Sequence, residues 1–282
     1  MRVIEKIAEM QSWSDRMRAE GKRIGLVPTM GYLHEGHLSL IDSAKKVSDI
    51  VVVSIFVNPT QFGPSEDYRS YPRDLEKDVE LVEKRGGDIV FHPSAEEMYP
   101  EGYVTYVEVG GLTENLCGAS RPGHFRGVTT VVGKLFNAVK PHIAVFGQKD
   151  AQQSIVIKRM TADLNFGVDI EVAPTIREPD GIAMSSRNTY LTQSQRSQAT
   201  SLFRALGTAE QIISGGERDS DKVIGQMKEI INSQPDADID YVSIVDAENL
   251  KPIGEIRGKV LIALAVKFGK ARLIDNIIID AG

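Results

Sequence analysis

Apolar positions along the chain fall into short runs that alternate with amphipathic stretches of helical spacing, and this alternation predicts most of the elements. Ile24 to Val27 is an apolar run closed by Pro28, and Leu40, Ala44 and Val47 follow at i, i+4 and i+7, so the stretch reads as strand, turn and helix. Ile50 to Phe56 is nearly all apolar and largely β-branched, the composition of a parallel strand covered on both faces. Arg73 to Arg85 carries Leu75, Val79 and Val82 at helical spacing. Gly86-Gly87 ends that helix before a short strand at Ile89 to Phe91. Tyr103 to Val109 alternates like an edge strand. After Gly123, a stripe of Val128, Val131, Val132, Leu135, Phe136 and Val139 predicts a helix that Pro141 stops. Ile143 to Phe146 then reads as a buried strand, followed by a helix from about Ala151 to Leu164. At the start of the chain, residues 3 to 20 read as one amphipathic helix ending at Gly21.

Strands alternating with helices predict an α/β fold, a doubly wound, Rossmann-like parallel sheet whose ligands gather at the carboxyl ends of the strands. Three loops would converge there: Pro28 to His37, Asn58 to Gly63, and Gly147 to Asp150. The pattern changes between Val172 and Asn188, where Pro174, Pro179 and Asp180-Gly181 come in quick succession. The expected division gives residues 1–176 to the parallel-sheet domain and residues 177–282 to a smaller α+β C-terminal domain. The latter should hold two helices, about Ser194 to Ser214 and Ser220 to Ser233, and then strands at Ile239 to Val245, Lys259 to Val266 and Leu273 to Ile279.

The first loop holds the chemistry. His34 and His37 bracket Gly36 three residues apart, so both imidazoles fall on one face of a helix's first turn. A helix N-terminus presents unpaired N–H groups and the positive end of its dipole, which attract phosphate. Glycine lets a ligand approach the backbone between the rings. Two other readings stand beside this one. The histidines fall on a face with Ile41 and Ala44 and would then simply finish a half-buried stripe; or they are a metal pair, for which no third zinc ligand is evident.

The commonest nucleotide cradles are absent: Gly133-Lys134 has Val128 and Leu135 where a P-loop needs Gly and Ser or Thr, and no G-x-G-x-x-G occurs. Gly147-Gln148-Lys149-Asp150 lies where a strand turns into a helix, so Lys149 can reach phosphates as a point charge, unless it is only a solvated lysine. Met184-Ser185-Ser186-Arg187 joins two hydroxyls to a guanidinium, a set suited to phosphate oxygens as well as to an ordinary turn. Gln61 and Gln153 both donate and accept and could recognise the hydroxyls of a small polyhydroxylated acid, although as single glutamines they read as ordinary surface residues.

Composition narrows the class. With 282 residues, 41% apolar and 26% charged, the chain can bury large cores. The net charge of −6 argues against nucleic acid as a partner, and no apolar run is long enough to span a membrane. The N-terminus lacks a signal-peptide core, and Cys117 is the sole cysteine, so a reducing cytoplasm is the expected setting.

Taken in order, PTMGYLHEGHLSLI (28–41), VVVSIFVNPTQFGPSEDYRSYPRD (51–74), CGASRPGHFRGV (117–128), FGQKDAQQ (146–153), REPDGIAMSSRN (177–188) and ARLIDN (271–276) resemble the pantothenate synthetases, in the nucleotidylyltransferase-like group with a His-x-Gly-His element. Ser65 stands where that family has Asn, and Ile176 where it often has Val. The resemblance implies ATP- and Mg²⁺-dependent condensation of (R)-pantoate with β-alanine through an acyl adenylate, by a cytoplasmic homodimer whose second domain closes over the site. It implies ATP along Met30, Gly31, Tyr32, Leu33, His34, Glu35, Gly36 and His37, then Gly147, Gln148, Lys149 and Asp150, then Ile176, Met184, Ser185, Ser186 and Arg187. Pantoate falls to Gln61 and Gln153, and β-alanine to Gln61. His37 is the implied proton donor, with His34, Lys149 and Arg187 as its catalytic partners; no protein ligand to a metal and no tightly bound cofactor are implied. The nearest alternative is a nucleotidylyltransferase that leaves AMP on a phosphorylated acceptor; a His34/His37 metal-dependent hydrolase and a non-catalytic ATP-binding domain are more distant.

Overall fold

The computed structural model describes residues 1–64 and 66–282. Ser65, noted above for its departure from the family pattern, lies outside the described residues. The chain forms two compact units: residues 1–110, 121–148 and 153–174 make the first, and residues 111–120, 149–152 and 175–282 the second.

In the first unit the chain runs β1 (Arg2–Ile4), α1 (Ile7–Ala19), β2 (Ile24–Thr29), α2 (Glu35–Val47), β3 (Ile50–Ile55), α3 (Leu75–Arg85), β4 (Ile89–Phe91) and α4 (Ala95–Met98). After α5 (Cys117–Ser120), which belongs to the second unit, come α6 (His124–Val139), β5 (Ile143–Gly147), α7 (Ala151–Asp163), whose first two residues belong to the second unit, and β6 (Asp169–Ala173). The strands form one six-stranded sheet in the order β1-β4-β3-β2-β5-β6, with every pairing parallel. Leu26, Val27, Val52, Val53, Ala144 and Val145 are fully buried, as expected of central parallel strands with both faces covered. From β2 the chain builds outward to β3 and β4, and β5 returns to the other flank of β2. The strand order therefore reverses between β2 and β5, and their carboxyl ends open the crevice in which such sheets bind ligands.

Three expectations need correction. The N-terminal segment is not one helix: Arg2–Ile4 pairs in parallel with Ile89–Phe91, and the helix begins only at Ile7. A three-residue edge strand shows no periodicity, and its partner lies far downstream. Tyr103 to Val109 is no strand either. Its backbone is met by threonine hydroxyls of α6: the Val107 N–H donates to Thr130 Oγ1 at 3.0 Å and the Val107 carbonyl accepts from Thr129 Oγ1 at 2.7 Å. The sheet also has a further strand, β6, whose acidic residues Asp169 and Glu171 hide its pairing with β5.

The second unit carries 22-residue α8 (Gln193–Ser214), α9 (Ser220–Asn232) and an antiparallel sheet of β7 (Ala237–Asp246), β8 (Lys259–Phe268) and β9 (Ala271–Asp280), with β8 central. Leu202, Leu206, Ile213, Val223, Met227 and Ile231 of the helices pack with Ile244, Ile262, Leu264 and Phe268 of the sheet. The three expected strands are present; β7 and β9 extend beyond both predicted ends, and β8 starts at Lys259 as expected and runs on to Phe268. The register of β7 slips between Ile239 and Tyr241, a bulge at Asp240.

Candidate active site

In the first unit the loop from β2 to α2 is shaped by a buried carboxylate. Gly31 and Tyr32 adopt φ of +82° and +50°, successive left-handed residues that turn two amides the same way. The N–H groups of Tyr32 and Leu33 each donate to Asp78 of α3 at 2.7 Å. A Cβ at residue 31 would stand 2.9 Å from Asp78 Oδ2, so glycine answers both the conformation and the close approach. Asp78 is buried, and desolvation raises its carboxyl above the ordinary value although the two N–H donors pull the other way.

The loop delivers His34 as the N-cap of α2 and His37 in its first turn. Their rings stack with centroids 4.0 Å apart and 28° between planes, and the His34 N–H donates to His37 Nδ1 at 3.4 Å. The two imidazoles thus share one face at the helix N-terminus beside Gly36. Both are half-buried, whereas Leu38, Leu40, Ile41 and Ala44 are the residues of α2 that enter the core. Glu35 turns its carboxylate to Arg85, which also pairs with Asp42 at 3.0 Å, so only its backbone can serve a ligand at the helix start.

The loop after β3 supplies Gln61 from a single 3-10 turn, Pro59–Gln61. Gln61 Nε2 donates to Met30 Sδ at 3.0 Å, which ties this loop to the one after β2. Its Oε1 accepts from Asn58 Nδ2 at 3.1 Å. Asn58 is buried and fully engaged: Nδ2 also donates to the Gly127 carbonyl at 3.1 Å, and Oδ1 accepts from Thr60 Oγ1 and Tyr99 Oη, each at 2.9 Å. The Tyr99 phenol, desolvated by burial, is pushed up to about 12 and stays a donor. Helix α6 approaches so closely that a Cβ on Gly127 would lie 2.4 Å from the Thr60 carbonyl oxygen. The far end of the loop is held by Arg121, whose Nε and Nη2 donate to Glu66 at 2.6 and 2.8 Å. Burial alone would raise Glu66, but the guanidinium outweighs it and lowers the carboxyl to about 2.

Of the remaining residues, Gly147 ends β5 and Gln148 opens a 3-10 turn through Lys149 and Asp150. Gln153 lies in the first turn of α7, half-buried, in the first unit. The second unit contains Lys149, Asp150, Ile176 and Met184 to Arg187. There Lys149 Nζ lies 3.6 Å from Asp150 Oδ2. Ile176 and Met184 are brought together, since the Met184 N–H donates to the Ile176 carbonyl at 2.9 Å across a narrow hairpin bridged by Arg177 and Ala183. Ser185 caps the following turn, its Oγ accepting from the Arg187 N–H at 3.2 Å. Asn188 Nδ2 donates to Glu178 Oε1 at 2.6 Å and to the Ala183 carbonyl at 3.1 Å, closing the segment on itself.

Sequence reasoning passed over Asp78, Asn58 and the Glu66–Arg121 pair. Asp78 left a signal: it falls at helical spacing between Leu75 and Val82 on the inward side of α3, and a carboxylate in an apolar stripe needs a partner. Asn58 left only the signal of a turn cap, since its Oδ1 also accepts from the Thr60 N–H, and the ion pair left none, because its partners are far apart in the chain.

A parallel sheet with stacked histidines on a helix start at its strand-order reversal belongs to a nucleotide-handling α/β enzyme. The sequence model of the pantoate-beta-alanine ligase family matches residues 2–278, and the chain belongs to that family. It is 58% identical over 280 residues to the pantothenate synthetase of Moorella thermoacetica, covering 99% of each chain. It is 57% identical over 279 residues to that of Thermotoga petrophila, covering 99% of this chain and 100% of the relative. The crystal structure of pantothenate synthetase from Thermus thermophilus superposes with a TM-score of 0.93 at 45% identity, covering 98% of this chain and 99% of that one. The pantoate-beta-alanine ligase of Francisella tularensis, complexed with β-γ ATP and β-alanine, superposes with a TM-score of 0.80 at 34% identity, covering 99% and 97%.

Proposed function

We propose that this enzyme joins (R)-pantoate to β-alanine in two steps, first forming pantoyl adenylate and pyrophosphate from ATP, then passing the acyl group to the amine with release of AMP. The observation that carries the reading is the paired His34 and His37 on the N-terminus of α2, fixed by the grip of Asp78 on the preceding loop. A free carboxylate does not acylate an amine, because its oxygen leaves poorly; adenylation makes AMP the leaving group. Attack of the pantoate carboxylate on the α-phosphorus builds charge on that phosphoryl group and on departing pyrophosphate. Fixed donors at those oxygens lower the barrier, each commonly contributing about 10² to 10³ in rate.

Residue by residue, the resemblance assigns those donors to His34, His37, Lys149, Ser185, Ser186 and Arg187, with His37 as the proton donor. ATP as a whole lies along the 30–37 and 147–150 segments, Ile176 and Met184 to Arg187. Gln61 and Gln153 hold pantoate, and Gln61 also meets β-alanine. Mg²⁺ would enter with ATP and offset the charge of its phosphates. Residues 177–282 act as the lid that keeps water from the acyl adenylate. Family membership further supports a cytoplasmic homodimer, and no described helix is long and apolar enough to cross a membrane.

The test is pyrophosphate exchange. With ATP, Mg²⁺ and pantoate but no β-alanine, the enzyme should incorporate labelled pyrophosphate into ATP, because a shielded adenylate has no other acceptor and runs backward. Exchange should vanish without pantoate. Exchange that requires β-alanine would overturn the two-step order, and a product in which AMP stays on a phosphorylated acceptor would assign the site to a nucleotidylyltransferase.

A further inference from the structure

The motif ARLIDN at 271–276 lies on β9 and has no part in the chemistry described above, yet it places two polar residues, Asp275 and Asn276, at the centre of an apolar strand. Both are buried, at 3% and 4% exposure. Successive strand residues point to opposite faces, so these two side chains serve different neighbours. Asp275 takes a bidentate grip on Arg177, at 2.5 and 3.0 Å, and Arg177 Nη1 also donates to the Gly181 carbonyl at 3.0 Å. That pins the stem of the segment that ends in Ser185, Ser186 and Arg187. Asn276 Nδ2 instead donates to the backbone carbonyl of Lys149 at 2.8 Å. Lys149, Ser185 and Asp275 line one small cleft.

We infer that Asn276 is a positioning residue for the ATP phosphates: it fixes the Lys149 peptide on β9 while Asp275 fixes the 177–187 segment on the same strand, so one strand sets the spacing of two phosphate-binding groups. Lysine has a flexible four-carbon stem, and where its ammonium can reach depends on where its Cα is held. The inference rests on the assignment of Lys149 to the phosphates.

Steady-state kinetics on Asn276→Ala, Asn276→Asp and Lys149→Ala, with melting temperatures for each, separates the two claims. Asn276→Asp keeps the volume and removes the donor. We expect both Asn276 variants to fold and to raise the KM for ATP about threefold to tenfold, the range of one lost neutral hydrogen bond, while the KM for pantoate stays within about twofold. A role in packing alone would lower kcat through loss of folded enzyme and leave the KM for ATP in place, which would overturn the inference. So would failure of both Asn276 variants to fold, which would make the residue a core element. If Lys149→Ala turns over normally, the phosphate assignment itself fails, and the inference with it; if Lys149→Ala is crippled and the Asn276 variants bind ATP normally, only the inference fails.

Discussion

At the scale of single residues, the candidate site depends on side chains outside the set assigned to the reactants. Asp78 accepts two backbone N–H groups while buried, and removing it leaves both amides without an acceptor. A buried donor left unsatisfied costs about 1 to 3 kcal/mol. Asp78→Ala should therefore lower the unfolding free energy by about 2 to 4 kcal/mol, given partial solvation of the gap, and should depress adenylation further by releasing the turn that carries His34 and His37. Asp78→Asn, which keeps one acceptor oxygen, should fall between. Urea unfolding followed at both variants checks the order; an Asp78→Ala protein as stable and active as the parent would remove the clamp from the account. That His34, Gly36 and His37 share the first turn of a helix was legible because their spacing is local. Asn58 was not, since its meaning lies in contacts to Gly127 and Tyr99, which no spacing near residue 58 encodes.

At the scale of elements, loops are held by pairs that reach across the chain. The 59–66 loop ends at Glu66, whose carboxylate is fixed by Arg121 and by the Gly63 N–H at 3.1 Å. Its carboxyl is lowered from 4.5 to about 2 in the folded state, so folding favours the ionised form. The stabilisation is then fully present above the unfolded value of 4.5 and is lost as pH falls through about 2. Melting temperatures of the parent and of Glu66→Gln should differ at pH 6 and converge as pH drops from 4.5 toward 2. A gap that keeps its size across that window would show that the pair does not hold the loop. The helices and most strands were readable from periodicity, whereas Tyr103 to Val109 shows the limit of alternation: it has the pattern of an edge strand, and the backbone groups of Val107 within it are taken by threonine hydroxyls instead.

At the scale of the whole molecule, the proposed homodimer is tested by sedimentation velocity, which should return twice the 31.0 kDa of one chain. A single species of that monomer mass at micromolar concentration would rule the dimer out. Two features of organisation were not evident along the sequence. Residues 111–120 and 149–152 cluster with the C-terminal unit although they lie well before the expected boundary at residue 176. In both cases named contacts explain it: Gln152 Oε1 accepts from the Cys117 N–H at 3.0 Å, and Cys117 Sγ lies 3.2 Å from Tyr241 Oη.

By itself, the sequence determined the alternation of strands and helices, the parallel class of the first sheet, the three strand runs at the C-terminus and the His-x-Gly-His start of α2. All of these are local: an apolar period, a glycine or a pair of histidines acts within a few residues, and local conformation follows from it. Only the tertiary structure decided that β1 joins the sheet, that Asp78 shapes the turn ahead of the histidines, and that Asp275 and Asn276 hold Arg177 and the Lys149 peptide. The reason is that a buried polar group must find a partner, and the fold, not the sequence spacing, determines which distant partner comes within hydrogen-bonding distance.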